Sequence, residues 1–134
     1  MKLESRDERK KKSFKRFVNS FKYSIEGLSY TIKNEQSIIV MLLATILAII
    51  IGLWLRIKPI EWVFVFLTIG IVLAFELINT AIEATIDLLS PEFHPLAKIA
   101  KDTGSAAVFI TTIFAVIIGG VIFIPKIMII LRLG

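Results

Sequence analysis

Long stretches without a charged residue constrain this chain more than any other feature. The first runs for twenty residues, from Gln36 to Leu55, about the helix length that crosses the ~30 Å hydrocarbon core of a bilayer. Two further apolar stretches begin near Ile60 and at Thr103. The chain has 134 residues, of which 56% are hydrophobic, too large a share for a soluble domain of this size. We therefore expect an all-α membrane protein with three transmembrane helices.

The positive charge of the chain is concentrated ahead of the first span. Ten of the 16 Lys and Arg residues precede Asn34, which predicts a cytoplasmic N-terminus rather than binding to nucleic acid. Residues 1–12 have almost no apolar side chain and are expected to form a disordered basic tail. Residues 13–33 carry apolar side chains every three or four positions, which predicts an N-terminal amphipathic surface helix. We expect one membrane domain, residues 1–134, whose helices containing the spans cover 36–55, 60–89 and 103–124.

A polar stripe lies in the second of these apolar helices. Its members follow one another at spacings of three, four and four residues, which places them on one helix face: Glu76, Asn79, Glu83 and Asp87. Counted from Trp62, Glu76 lies about 9 Å short of the inner membrane boundary, whereas Glu83 reaches the headgroup layer. Ionisable groups at lipid depth are costly, so this stripe indicates a functional site.

The segment after the stripe, residues 90–102, is expected to form a short cytoplasmic loop. Proline residues at positions 91 and 95 end the preceding helix. The small residues from Gly104 to Ala107 predict close packing of the third span against the polar stripe. The chain has no cysteine, which excludes disulfides and thiolate metal ligands.

The polar residues at the inner membrane edge suit phosphoryl transfer to a lipid. Glu35 and Glu83 are candidate ligands for Mg²⁺, which prefers carboxylate, phosphate and water oxygens. Glu76 is the candidate general base for a hydroxyl whose lipid tail stays in the bilayer. The chain has neither a GxxxxGK[ST] loop nor a kinase-type GxGxxG motif, so an ATP site would be of another kind. From spacing alone, Glu83 and Asp87 could also be the solvated face of a helix that leaves the membrane.

Two motifs resemble those of the small bacterial integral-membrane lipid kinases, the diacylglycerol kinase and undecaprenol kinase family. The first is E-L-I-N-T-A-I-E, residues 76–83, and the second is A-K-D-T-G-S-A-A-V, residues 100–108. The resemblance extends from Arg16 to about Ile124. It implies a homotrimer in the bacterial inner or plasma membrane, with active sites between subunits, that uses Mg²⁺ and ATP to phosphorylate a lipid alcohol.

The resemblance also implies roles for individual residues. The position of Glu76 matches the proposed base, and the positions of Glu35 and Glu83 match metal ligands. The remaining matches are to positions that surround or bind the nucleotide: Arg16, Tyr23, Asn79, His94, Lys101 and Asp102.

The sequence constrains the identity of the lipid substrate less than it constrains the type of reaction. H-P-L-A-K, residues 94–98, and I-E-W, residues 60–62, resemble the undecaprenol kinases, whereas residues 101–108 are closer to the diacylglycerol branch. The apolar residues 38–41 offer no polar partner for the ester carbonyls of diacylglycerol, so undecaprenol is favoured over diacylglycerol. A non-enzymatic transporter protomer that couples an ion to Glu76 is a third possibility. Its transport path would need polar groups toward both membrane faces, and the outer halves of the spans are apolar.

Overall fold

The computed structural model describes residues 6–133, with the side chains of residues 15–131. Over this range the chain forms α1 (Arg6–Asn34), α2 (Gln36–Trp54), α3 (Pro59–Leu89) and α4 (Pro95–Leu133), and no strand. The helices α2, α3 and α4 are each long and apolar enough to cross a membrane. The predicted all-α architecture with three spans and an N-terminal helix is confirmed.

The first helix starts earlier than the sequence predicts. It begins at Arg6, so residues 6–12 are helical where their composition predicts a disordered tail; residues 1–5 of that tail lie outside the described residues. Lys, Arg and Glu are good helix formers, so the charged segment can extend the amphipathic helix toward the N-terminus. Within α1 the apolar residues Phe17 and Phe21 are one turn apart, and their rings meet edge to face at 5.0 Å.

A tight turn joins α2 to α3 and is fixed by charged side chains. Arg56 has a left-handed backbone, with φ of 49°, and Pro59 occupies the first turn of α3, where its fixed φ suits a helix start. Glu61 accepts a hydrogen bond of 2.5 Å from the Lys58 amide and pairs with Lys126 of α4 at 3.0 Å. We call this end of the three-helix unit the turn end. Its small hydrophobic core comprises Leu55, Ile57, Val65 and Ile122.

The last helix is longer than predicted at both ends. Residues 95–102, expected in a loop, belong to α4, because proline is well tolerated at the first helical position, where its missing amide is not needed. The helix also continues through Pro125 to Leu133, past the predicted end at Ile124. The remaining loop covers residues 90–94, and we call this opposite end of the unit the loop end. α4 packs mainly against α3.

Candidate active site

A buried carboxylate, Glu76 of α3, marks the centre of the candidate site. Its side chain is 3% exposed and accepts a hydrogen bond from the hydroxyl of Ser37 in the first turn of α2. A buried carboxylate is costly unless hydrogen bonds or charges compensate it. Glu76 is thus held in one place by a neutral donor from the neighbouring span.

The contact with Ser37 shows the level of Glu76 relative to α2. Ser37 is the second residue of α2, so Glu76 lies level with the start of that span rather than well inside it. α3 begins at Pro59, so a count from its first residue places Glu76 about 4.5 Å further along than the count from Trp62. Thirteen residues of α3 follow Glu76, and they carry the helix about 20 Å beyond this level.

Ser37 is a contact of the candidate site that the sequence analysis missed. Ser37 is a single hydroxyl residue in the first turn of an apolar span, so it forms no periodic pattern. It also lies outside both family motifs. The available signal was positional, since Ser37 lies two residues after Glu35 at the end of the span that the polar stripe of α3 approaches.

One turn beyond Glu76, an amide and a second carboxylate form a pair. Asn79 Nδ2 donates to Glu83 Oε1 at 2.8 Å, as expected for residues four apart on a helix. Asn79 Oδ1 is buried and has no hydrogen-bond partner within the described part of the chain. It faces Gly104 of α4, where a Cβ atom would overlap it. The predicted close packing at the start of the third span is therefore confirmed at Gly104.

Two lysines of α4 form ion pairs at the loop end of the helix unit. Lys101 Nζ contacts Asp87 Oδ1 of α3 at 2.5 Å, and Lys98 Nζ contacts Asp102 Oδ2 at 2.5 Å within α4. All four side chains are at least one third exposed, so water screens both pairs and neither contributes much to stability. Lys101 and Asp102 can therefore exchange these partners for a ligand at little energetic cost.

The predicted metal ligands both lie at the loop end, but the described residues do not form a closed metal site. Glu35 is the half-buried N-cap residue of α2, and its side chain makes no capping hydrogen bond. No cluster of three His, Asp or Glu side chains suited to a metal occurs among residues 15–131. Mg²⁺ is commonly held by one or two carboxylates together with phosphates and water. Glu35, Glu83 and the unpaired Asn79 Oδ1 are oxygen donors of that kind, so the residues fit such an ion.

The other predicted nucleotide residues have simpler surroundings. His94 Nδ1 accepts a hydrogen bond of 3.2 Å from the Leu96 amide, at the start of α4. Arg16 and Tyr23 are exposed on α1 and seven residues apart, which places them on the same face of that helix.

The fold has three helices that can cross a membrane, with carboxylates, an amide and a lysine at the loop end of the helix unit. Residues 22–123 match the family described as prokaryotic diacylglycerol kinase. The chain belongs to this family of membrane lipid kinases, which use ATP as the phosphate donor.

This chain resembles relatives that are named for one or the other of the two predicted lipid substrates. The undecaprenol kinase of Bacillus subtilis is 38% identical over 124 residues, which cover 92% of this chain and 99% of that protein. The diacylglycerol kinase of Escherichia coli K12 is 38% identical over 104 residues, 78% of this chain and 85% of that protein. The diacylglycerol kinase of Helicobacter pylori is 36% identical over 111 residues, 83% of this chain and 87% of that protein. The transporter alternative is set aside because the family is one of kinases.

Proposed function

We propose that this protein transfers the γ-phosphoryl group of Mg-ATP to the hydroxyl of undecaprenol and so makes undecaprenyl phosphate. The observation that carries the proposal is the buried Glu76, fixed by Ser37 level with the start of α2. A carboxylate at this level can meet the hydroxyl of a lipid whose chain remains among the spans. The nearly full-length match to the Bacillus subtilis undecaprenol kinase supports this choice of lipid.

In this proposal Glu76 acts as the general base. It takes the proton of the lipid hydroxyl while that oxygen forms a bond to the γ-phosphorus, and the bond from the γ-phosphorus to the β,γ-bridging oxygen breaks to release ADP. Ser37 donates to one carboxylate oxygen and leaves the other for the substrate. Ser37 is a positioning residue in this account.

The nucleotide would be held by groups nearer the loop end. Glu35 and Glu83 would ligate Mg²⁺, whose charge offsets that of the β- and γ-phosphates when bound. Lys101 would contact phosphate oxygens after leaving Asp87. The further nucleotide contacts proposed from the family resemblance are Arg16, Tyr23, Asn79, His94 and Asp102.

We also propose a homotrimer in the bacterial plasma membrane, with the N-terminus and the loop end in the cytoplasm and with active sites between subunits. Within the described residues, Asn79 Oδ1 has no hydrogen-bond partner and the Glu35 side chain makes no capping hydrogen bond, which is consistent with a site that one chain leaves incomplete. The excess of Lys and Arg ahead of the first span supports the orientation.

A comparison of the two lipids as substrates tests the proposed reaction. Purified protein in mixed micelles would receive undecaprenol or diacylglycerol with Mg-ATP labelled in the γ-phosphate. We expect a higher kcat/KM for undecaprenol. Diacylglycerol kinase activity is the second candidate, favoured by the motif at residues 100–108, and a clear preference for diacylglycerol would establish it instead.

A further inference from the structure

The turn end presents two exposed cations on a fixed backbone. Leu55 and Ile57 are buried in the small core at this end, with 9% and 5% exposure. The residue that follows each of them, Arg56 and Lys58, is exposed. The Ile57 amide donates to the Gly52 carbonyl at 3.1 Å, which ties the turn back to the end of α2. Because the buried residues alternate with the charged ones, the turn holds both cations away from the core.

Arg56 has an unusual backbone and, within residues 15–131, no partner for its charge. Its φ of 49° is left-handed, a conformation that costs an arginine free energy that glycine would not lose. Its guanidinium makes no ion pair or hydrogen bond to another residue of that range. Lys126, in contrast, pairs with Glu61 at 3.0 Å, and both of these side chains are less than one quarter exposed. The one described carboxylate at this end is therefore already paired, and the exposed surface is cationic.

The helix lengths place these cations near the level of lipid headgroups. From Ser37 to Trp54, α2 rises about 26 Å, and Glu61 lies about 22 Å from Glu76 along α3. The hydrocarbon core of a bilayer is ~30 Å thick, so the Glu61–Lys126 pair falls inside it and the α2–α3 turn falls near its boundary. Trp54, which is 66% exposed beside the turn, suits this boundary, where tryptophan is enriched.

We propose that the turn end binds the headgroup phosphate of an anionic phospholipid through Arg56 and Lys58. An arginine can donate two parallel hydrogen bonds to phosphate oxygens, and a fixed turn loses little freedom when it binds. A phosphate tethered by acyl chains in the same membrane also reaches these cations at a higher effective concentration than a free anion. The surface lies about 22 Å from Glu76 along α3, so it is separate from the candidate active site.

The tryptophans of the chain make lipid at this surface observable. The sequence has two, Trp54 and Trp62, and they flank the α2–α3 turn. Bromine on a lipid acyl chain quenches tryptophan fluorescence only at short range. The full chain would be reconstituted in vesicles that contain either brominated phosphatidylglycerol or brominated phosphatidylcholine beside the unlabelled form of the other lipid. We expect the relative binding constant to favour phosphatidylglycerol by at least about fivefold, the preference that one cation supplies at an anionic membrane surface.

Removal of the two cations should abolish this preference. In the double variant Arg56→Gln with Lys58→Gln, the two lipids should bind within about twofold of each other. Arg56→Gln alone should lower the preference at least about twofold, whereas Arg56→Lys, which keeps the charge, should retain most of it. Lys98→Gln is the matched control for Arg56→Gln, because it removes one exposed cation at the loop end, where Lys98 pairs with Asp102. Its preference should equal that of the parent.

Equal quenching by the two lipids in the parent protein would overturn the proposal, and so would a preference that survives in the double variant. Inorganic phosphate, exchanged for chloride at equal ionic strength, should leave the parent's preference unchanged. Loss of the preference in phosphate would assign the surface to a free anion instead. If the double variant lacks the parent's helix content by circular dichroism, the comparison of Arg56→Gln with Arg56→Lys decides, and equal preferences in these two variants would refute the role of Arg56.

Discussion

The Ser37 hydroxyl donates to the Glu76 carboxylate and thereby joins the first turn of one span to the polar stripe of the next. Glu76 is 3% exposed, and the donor that Ser37 offers it is an uncharged hydroxyl. The orientation of this carboxylate therefore depends on one neutral donor. Removal of that donor should slow the chemical step more than it weakens nucleotide binding.

Ser37→Ala should lower kcat by about 10- to 100-fold, because a buried acceptor that loses its donor is destabilised by ~1–3 kcal/mol and can turn away from the substrate. The KM for ATP should stay within about twofold of the parent, and Ser37→Thr should restore part of kcat. Steady-state kinetics in mixed micelles measure both constants. Thr85→Ala, which removes an exposed hydroxyl bonded to its own helix, is the control. Parent kcat in Ser37→Ala would show that the hydrogen bond is dispensable.

Gly104→Ala should raise the concentration of Mg²⁺ needed for half-maximal rate by several-fold. The added methyl group overlaps Asn79 Oδ1, and Asn79 also bonds Glu83, the proposed metal ligand. Gly120→Ala is the control, because its methyl group would meet the nearest atom at 3.5 Å. If the effect passes through Asn79, Gly104→Ala should add no further loss in an Asn79→Ala background. Additive losses in that double-mutant cycle would contradict this route.

Lys101→Met should raise the KM for ATP by at least about 10-fold, as expected when a charge-assisted contact to phosphate is lost. Lys98→Met should change it little, although Lys98 pairs with a carboxylate at the same distance of 2.5 Å. Thermal unfolding should be nearly unchanged in both variants, since exposed ion pairs contribute little to stability. Equal KM values for the two variants would remove Lys101 from the proposed nucleotide site.

The orientation can be tested with introduced thiols because the chain has no cysteine. Lys12→Cys and Lys98→Cys should react with an impermeant thiol reagent only after the cells are opened. Arg56→Cys in the α2–α3 turn should react in intact cells. Labelling of position 12 or 98 from outside would reverse the proposed topology.

The sequence predicted the spans well because the absence of charge over twenty residues is a strong and additive signal. The ends of α4 were harder, since Pro95 read as a helix breaker and the helix was predicted to end at Ile124. Pro95 stands instead where a helix can begin, and Pro125 lies within the continuing helix.

The candidate site was predicted in part. The stripe was recognised because Glu76, Asn79 and Glu83 recur at helical spacing. Two of its most specific contacts, Ser37 to Glu76 and Asn79 to Gly104, join residues that are far apart in the sequence. Such contacts depend on how two helices align, which periodicity within one helix does not determine.

The most direct test of the proposed role of Glu76 measures both the turnover of Glu76→Gln and the affinity of this variant for Mg-ATP. If Glu76 is the base, turnover should fall by ~10²–10⁴-fold while Mg-ATP affinity stays within about twofold of the parent. Glu35→Gln and Glu83→Gln should instead weaken Mg-ATP binding itself. Glu92→Gln, at an exposed position in the loop between α3 and α4, should match the parent in both measurements. Parent-like turnover in Glu76→Gln would contradict the proposed role of this carboxylate.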